Sequence, residues 1–214
     1  MPRLPSVTAY WDGAASGFDD EPDHGLGEPV VRAAWGRRLR DWLPTPPSDV
    51  LDIGCGTGSL SRLMLEDGHR VVGTDLSPNM VEAARAKCAG YDVTFSVGDA
   101  AEPPVGAASQ DAVVVRHLLW TLPDPHLALS RWVRSLRDGG RLVLVEGRWA
   151  QPAGATPYAD GAERMPWSGG VRQGDLVAAL EPLVASIAVH DLTTDDDLWG
   201  RSVPDERYAI VARI

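Results

Sequence analysis

The sequence predicts a doubly wound α/β domain built on a mostly parallel sheet, and three observations carry that expectation. An apolar run at residues 50–53 breaks into glycines at positions 54, 56 and 58, and a second apolar run at 70–75 ends in an acid, Asp75. Strand-like runs then alternate with helical stripes along most of the remaining chain. Val50, Leu51 and Ile53 are β-branched or bulky, which suits a strand covered on both faces of a parallel sheet.

Taken in order, residues 6–42 read as two short helices around a turn-rich loop. Val31, Trp35, Leu39 and Trp42 give one of them an apolar face, able to lie across the sheet edge or over a cofactor mouth. The loop at 17–25 is dense in carboxylates and reads as a solvated loop or as an active-site lid drawing in a cationic amine, with His24 near the reacting group. Residues 44–47, which hold three prolines, mark a hinge. The expected organisation is therefore a helical lid segment, 1–47, before a single core domain, 48–214.

Within the core, Leu60, Leu63 and Met64 recur at helical spacing until Gly68. Ser77 caps a helix whose first turn holds Pro78, and Met80, Val81 and Ala84 run down one face. Strands are expected at 92–97 and 111–115. A helix opens at Asp124 and Pro125, buries Ala128, Leu129, Trp132, Val133 and Leu136, and ends at Asp138, Gly139 and Gly140. A fifth strand, 141–146, follows. Residues 148–170 read as an inserted substrate loop, in which Tyr158, Met165 and Trp167 supply apolar walls or core packing. A last helix around Leu176 and Leu180 precedes closing strands at 184–189 and 206–211, paired as an antiparallel hairpin at the sheet edge. Asp195, Asp196 and Asp197 read as a solvated loop, because three consecutive side chains do not converge on a cation.

A strand, a glycine turn and a helix N-terminus form a nucleotide site. Gly54, Gly56 and Gly58 permit positive φ and close approach of backbone amides, and Asp75 lies about twenty residues past the first glycine, where an acid accepts hydrogen bonds from ribose hydroxyls. The dinucleotide fingerprint would place its third glycine where Ser59 stands. A carboxylate at Asp52 would repel a pyrophosphate but tolerate a cationic sulfonium amino acid.

Residues 52–58 (Asp-Ile-Gly-Cys-Gly-Thr-Gly), Asp75, the step Gly98-Asp99-Ala100 and residues 136–142 (Leu-Arg-Asp-Gly-Gly-Arg-Leu) together resemble, in order and spacing, the class I S-adenosylmethionine-dependent methyltransferases. The resemblance is dense over residues 50–147. It implies a Rossmann-like seven-stranded sheet with an antiparallel last strand and an N-terminal helical lid. It also implies S-adenosylmethionine as cofactor and S-adenosylhomocysteine as product. The cofactor residues it implies are Tyr10 (or Trp11) against the methionine part, Asp52, Gly54, Cys55, Gly56 and Gly58 in the first turn, and Asp75 on the ribose. Leu76 and Met80 would lie beside adenine, Gly98, Asp99 and Ala100 at its amino group, and Arg116 or His117 near the cofactor carboxylate. His117 and His24 are the candidate bases, needed for a hydroxyl acceptor and dispensable for an amine.

Composition bounds the partners. The chain has 214 residues, enough for one sizeable domain, and a formal net charge of −10, which argues against nucleic acid; Arg37, Arg38 and Arg40 read as a solvated helix face. Cys55 and Cys88 are the only cysteines, too few for a disulfide framework. No run reaches membrane length and Met1 to Pro5 lack a secretory core, so a cytoplasmic protein without a membrane or metal partner is expected. The leading expectation is methyl transfer to a nitrogen or oxygen of a small molecule. An NAD-dependent oxidoreductase on a related fold and a non-catalytic cofactor-binding module are the alternatives, and the sequence leaves the oligomeric state open.

Overall fold

A computed structural model describes residues 4–149 and 157–214. Seven strands form one sheet in the order β3-β2-β1-β4-β5-β7-β6. They are β1 (Asp49–Ile53), β2 (Arg70–Asp75), β3 (Thr94–Val97), β4 (Gln110–Arg116), β5 (Leu136–Arg148), β6 (Ser186–Asp191) and β7 (Glu206–Arg213). β1 to β5 pair in parallel, and β7 runs antiparallel to both β5 and β6. The last two strands do pair as expected, but β7 lies inside, between β5 and β6.

Alternation along each strand divides the core into two layers. Val50, Ala112, Val114, Val143 and Val145 face one layer, where they meet α3 (Pro29–Trp42), α4 (Ser59–Glu66), α5 (Pro78–Lys87) and α8 (Asp196–Trp199). Leu51, Ile53, Val113, Val115 and Leu144 face the other, against α6 (Pro125–Ser135) and α7 (Gln173–Leu180). The apolar stripe of α3 therefore packs on the sheet's face rather than its edge. Val31, Trp35, Leu39 and Trp42 are all buried, and Trp35 Nε1 donates to the carbonyl of Leu198 at 2.9 Å. Asp195 ion-pairs with Arg38 at 2.6 Å and so bolts α8 to α3.

The helix starts follow local chemistry. Ser77 accepts from the Met80 amide and Asp124 from the Leu127 amide, each with proline in the first turn. At the end of α6 the expectation was too long: the helix stops at Ser135, and Leu136 already pairs with Gln110 before the register jumps to Ala112 opposite Arg141. Gly139, with φ 78°, lets the intervening residues bulge. β3 begins at Thr94 rather than 92.

Ahead of α3 lie α1 (Leu4–Ala14), a 3-10 turn (Ala15–Asp20) and α2 (Pro22–Gly25). Asp12 of α1 fastens this segment to the start of α5, its carboxylate accepting from Ser77 Oγ and, at 3.2 Å, from the Asn79 amide. Of the inserted loop, residues 150–156 lie outside the described residues. The rest carries a 3-10 turn (Ala162–Arg164) and returns to β5 through a bridge between Arg148 and Gly170.

Candidate active site

In a doubly wound sheet, ligands bind beyond the carboxyl ends of the strands where strand order reverses, here between β1 and β4. A cavity of about 380 Å³ opens at that point. Its floor follows the sheet edge strand by strand: Gly98, Asp99 and Ala100 after β3, Asp75 and Leu76 after β2, Gly54, Cys55 and Gly56 after β1, and Arg116 and His117 at the end of β4. Met80 of α5 closes one side, and Val7, Trp11 and Phe18 of the N-terminal segment roof it.

The turn after β1 is a place where only glycine fits. Gly54 has φ 67°, and a Cβ there would stand 2.9 Å from the Leu118 side chain; Gly58 has φ 81°, and its Cβ would meet Ala84 Cα at 3.0 Å. The amides of this turn are not aimed at a ligand as expected. Those of Gly54 and Cys55 donate to the Thr74 carbonyl at 2.8 and 3.0 Å, that of Gly58 to Cys55, and that of Gly56 to Asp75 Oδ2 at 2.9 Å. The other oxygen of Asp75 accepts from the Ser77 amide at 2.9 Å. Burial raises the Asp75 pKa, and these backbone bonds oppose the rise.

Three of the residues expected at the site do not line it. Asp52 faces the opposite side from Leu51 and Ile53, is 3% exposed, and accepts a hydrogen bond from Ser61 of α4. Burial pushes its pKa up to about 6. Gly58 serves helix packing against Ala84. Tyr10 is 44% exposed and stacks edge-on against Trp11 and Tyr158, while its neighbour Trp11 enters the cavity.

His117 has φ 55°, an unusual backbone for a side chain with a Cβ. Its amide donates to Val145 at 2.9 Å and its carbonyl accepts from Trp120 Nε1 at 2.7 Å. The ring lies 4.7 Å from Trp149 and 5.9 Å from Trp199, and its buried Nε2 has no hydrogen-bond partner in the protein. Burial, followed by the charges of Arg116, Arg207 and His24, depresses its pKa well below the ordinary histidine value, so the imidazole is neutral at physiological pH. His24 also lines the cavity, stacked on Phe18 with centroids 4.3 Å apart and 6.4 Å from His117.

Two carboxylates of the 17–25 loop, Asp19 and Glu21, have cationic partners. Asp19 pairs with Lys87 at 2.7 Å, and Lys87 also donates to Thr57 Oγ1 and Ser59 Oγ, which ties the N-terminal segment to the glycine turn. Glu21 lines the cavity but pairs with Arg201 at 3.2 Å. Trp149, just past β5, lines the cavity as well, and sequence reasoning missed Trp199, Arg201 and Arg207. Nothing local marks these three, which arrive through the antiparallel placement of β7. Among the described residues no group of three His, Cys, Asp or Glu is placed to hold a metal ion. Among the same residues no helix is long and apolar enough to cross a membrane.

Fold and cavity together define a Rossmann-like protein in which an acid follows β2 beside a glycine turn at the edge of the cavity. Residues 51–144, a little under half of the chain, match the family described as a methyltransferase domain. It is similar to the demethylmenaquinone methyltransferase of Clavibacter sepedonicus, 36% identical over 104 residues that make up 48% of this chain and 42% of that one. The matched stretch thus spans less than half the length of that relative. Among solved structures, the putative methyltransferase bound to the Haloferax volcanii Trm112 activator superposes with TM-score 0.72 at 22% identity, covering 97% of each chain. A Haemonchus contortus phosphoethanolamine N-methyltransferase in complex with S-adenosyl-L-methionine gives TM-score 0.67 at 18% identity over 88% of this chain and 53% of that one. At these identities the two structures show a shared fold.

Proposed function

We propose that this chain is a methyltransferase that binds S-adenosylmethionine in the described cavity and passes its methyl group to a nitrogen or oxygen of a small molecule. The observation that carries the cofactor is the glycine turn itself. Its amides at Gly54, Cys55, Gly56 and Gly58 are spent on protein acceptors, so the turn offers no cradle for a pyrophosphate, while Asp75 keeps lone pairs for a ribose. This favours a cofactor without phosphates over NAD.

The bound cofactor supplies an electrophilic methyl group on a sulfonium sulfur. Asp75 receives the ribose hydroxyls, Leu76 and Met80 flank the adenine, and Asp99 and the backbone at Gly98 and Ala100 meet its polar edge. Gly54, Cys55 and Gly56 give a close-fitting floor, and of the two aromatics expected against the methionine part, Tyr10 and Trp11, it is Trp11 that takes the place. Arg116 attracts the cofactor carboxylate. His117 Nε2, neutral and buried, accepts the hydrogen bond and then the proton of an acceptor hydroxyl. His24 borders the same space and stands as the second candidate base. Residues 4–28 act as a lid that excludes water, whereas α3 belongs to the core layer.

Isothermal titration with S-adenosylhomocysteine tests the reading: micromolar binding is expected, and no heat at millimolar ligand overturns it. Methyl transfer from labelled S-adenosylmethionine then separates an enzyme from a module that only binds the cofactor.

A further inference from the structure

The sheet ends differently on its two sides. β3 closes one edge with four residues, and Arg85 of α5 donates to the Phe95 carbonyl at 2.6 Å. β6 closes the other, and among the described residues no strand lies beyond it. Its six residues, Ser-Ile-Ala-Val-His-Asp, include no Lys, Arg or Pro, the residues that ordinarily keep a sheet edge from pairing with another chain. Ser186, Ala188, Val189 and Asp191 are exposed, Val189 by 37%, so neither helix layer covers this edge.

The hydrogen-bond phase of β6 follows from its partner. In an antiparallel pair, alternate residues turn both backbone groups to the same neighbour. Ile214 bonds with Gly139 and Gly140 on the β5 side, whereas Leu192 donates to the Arg207 carbonyl at 2.8 Å, so the odd-numbered residues of β7 serve β6. Ala188 and His190 stand opposite Val211 and Ala209 and use their amides and carbonyls there. That leaves the backbone groups of Ile187 and Val189 directed outward.

We propose that the outer edge of β6 pairs with the β6 of a second copy of this chain, antiparallel about a twofold axis at Ala188. In that register Ile187 of each copy exchanges hydrogen bonds with Val189 of the other, and the outward-facing groups satisfy one another. The side chains fit the same register. Ile187 and Val189 become a cross-strand pair of β-branched residues, twice by symmetry. Ala188 meets its own copy at a non-hydrogen-bonded position, where Cα atoms approach to about 4.5 Å and a methyl group fits. The Asp191 carboxylates lie three positions either side of the axis, roughly 20 Å apart at about 3.4 Å per residue, beyond the reach of screened repulsion. An axis at Val189 would set Asp191 against Ile187. An axis at Ile187 would set Val189 against Ala185, whose amide already donates to Arg213. A twofold contact needs one surface complementary to itself, and this strand meets that condition in a single register.

Sedimentation velocity on the purified chain, from low to high micromolar concentration, tests the proposal, and a reversible monomer–dimer equilibrium is expected. Each chain carries a formal net charge of −10, so added salt should strengthen the dimer. Val189→Lys should leave a monomer across the whole range. Val189→Pro should do the same without breaking a bond to β7, since it removes an N–H directed outward, and either variant serves if the other misfolds. Ala188→Cys should cross-link to its own copy under mild oxidation, because the two Cβ atoms adjoin at the axis; Val189→Cys, set against Ile187, should not. The native Cys55 and Cys88 are buried and do not compete. A wild type that stays monomeric throughout overturns the proposal and leaves the edge to a strand of another protein. A dimer indifferent to Val189→Lys, or one that Ala188→Cys fails to link, overturns it by placing the contact elsewhere.

Discussion

The carboxylate of Glu146 on β5 reaches across to the turn after β4 and accepts the amide of Leu118 at 2.9 Å, and the same oxygen accepts the amide of Leu119 at 2.9 Å. Glu146 is fully buried, and this brace holds the turn that carries His117 into the cavity. Without it, two amides at the edge of the core would lose their acceptor, at a cost of about 1 to 3 kcal/mol each.

Burial lifts the Glu146 pKa to about 7 from an ordinary 4.5, outweighing the two amide bonds. A carboxyl whose folded pKa is raised stabilises the fold fully below its unfolded pKa, and that contribution is lost as pH rises through the folded value. Wild-type stability should therefore decline between about pH 4.5 and 7 by on the order of 3 kcal/mol from this group alone. Glu146→Gln, which keeps the accepting oxygen, should remove that slope. Urea unfolding at pH 5 and pH 8 measures it; parallel pH profiles for the two proteins would refute the assignment.

Asp75→Ala should raise the S-adenosylhomocysteine dissociation constant at least tenfold, equivalent to about 1.4 kcal/mol, by removing the ribose acceptor and freeing the amides of Gly56 and Ser77. Gly56→Val should do as much, since its φ of 53° disfavours a side chain and the new Cβ would crowd Phe18 at 3.4 Å. Calorimetry on both variants reads the effect, and an unchanged constant for Asp75→Ala means the ribose lies elsewhere.

For a hydroxyl acceptor, His117→Ala should cut turnover by about 100-fold or more while sparing cofactor affinity. Because the His117 pKa lies well below 6.5, the wild-type rate should stay level as pH falls from 8 through 6.5 and drop only in more acid solution. Stability follows the same sign: the neutral ring's contribution is present above its unfolded pKa and is lost as pH falls through the folded one. A rate profile with its midpoint near 6.5 would point to an exposed base, with His24 the next to substitute.

Lys87 holds Asp19, Thr57 and Ser59 together, and burial lowers its pKa. Lys87→Met keeps the aliphatic bulk but breaks the latch between lid and glycine turn. Stopped-flow release of S-adenosylhomocysteine is expected to quicken several-fold, with circular dichroism unchanged. An unaltered release rate would show that the remaining ties hold the lid, those of Asp12 to Ser77 and Asn79, Asp19 to Thr57 and Glu21 to Arg201.

Much of the scaffold is legible residue by residue. The alternating apolar runs locate β1, β2 and β4, and the caps Ser77 and Asp124 set their helices, because these features act over one to four neighbours. Asp75 is legible for the same reason: it ends its strand at a set distance from the glycines. The stripe on α3 was legible as apolar, yet the sequence did not say what it covers, since a stripe names no partner. The pair β6 and β7 was found, but their order in the sheet was not.

The amino-acid sequence alone determined the glycine-turn half of this protein: a strand, a turn only glycine can make, a capped helix and an acid closing the next strand, all set by local sterics and short-range hydrogen bonds. Tertiary structure decided the rest. It turned Asp52 inward to Ser61, spent the turn's amides on Thr74 and Asp75, and chose Trp11 over Tyr10 for the cavity. It also brought Trp199, Arg201 and Arg207 to His117 from the far end of the chain. These outcomes depend on which side a strand residue faces and on where an antiparallel strand inserts, and both are chosen by the packing of the whole sheet.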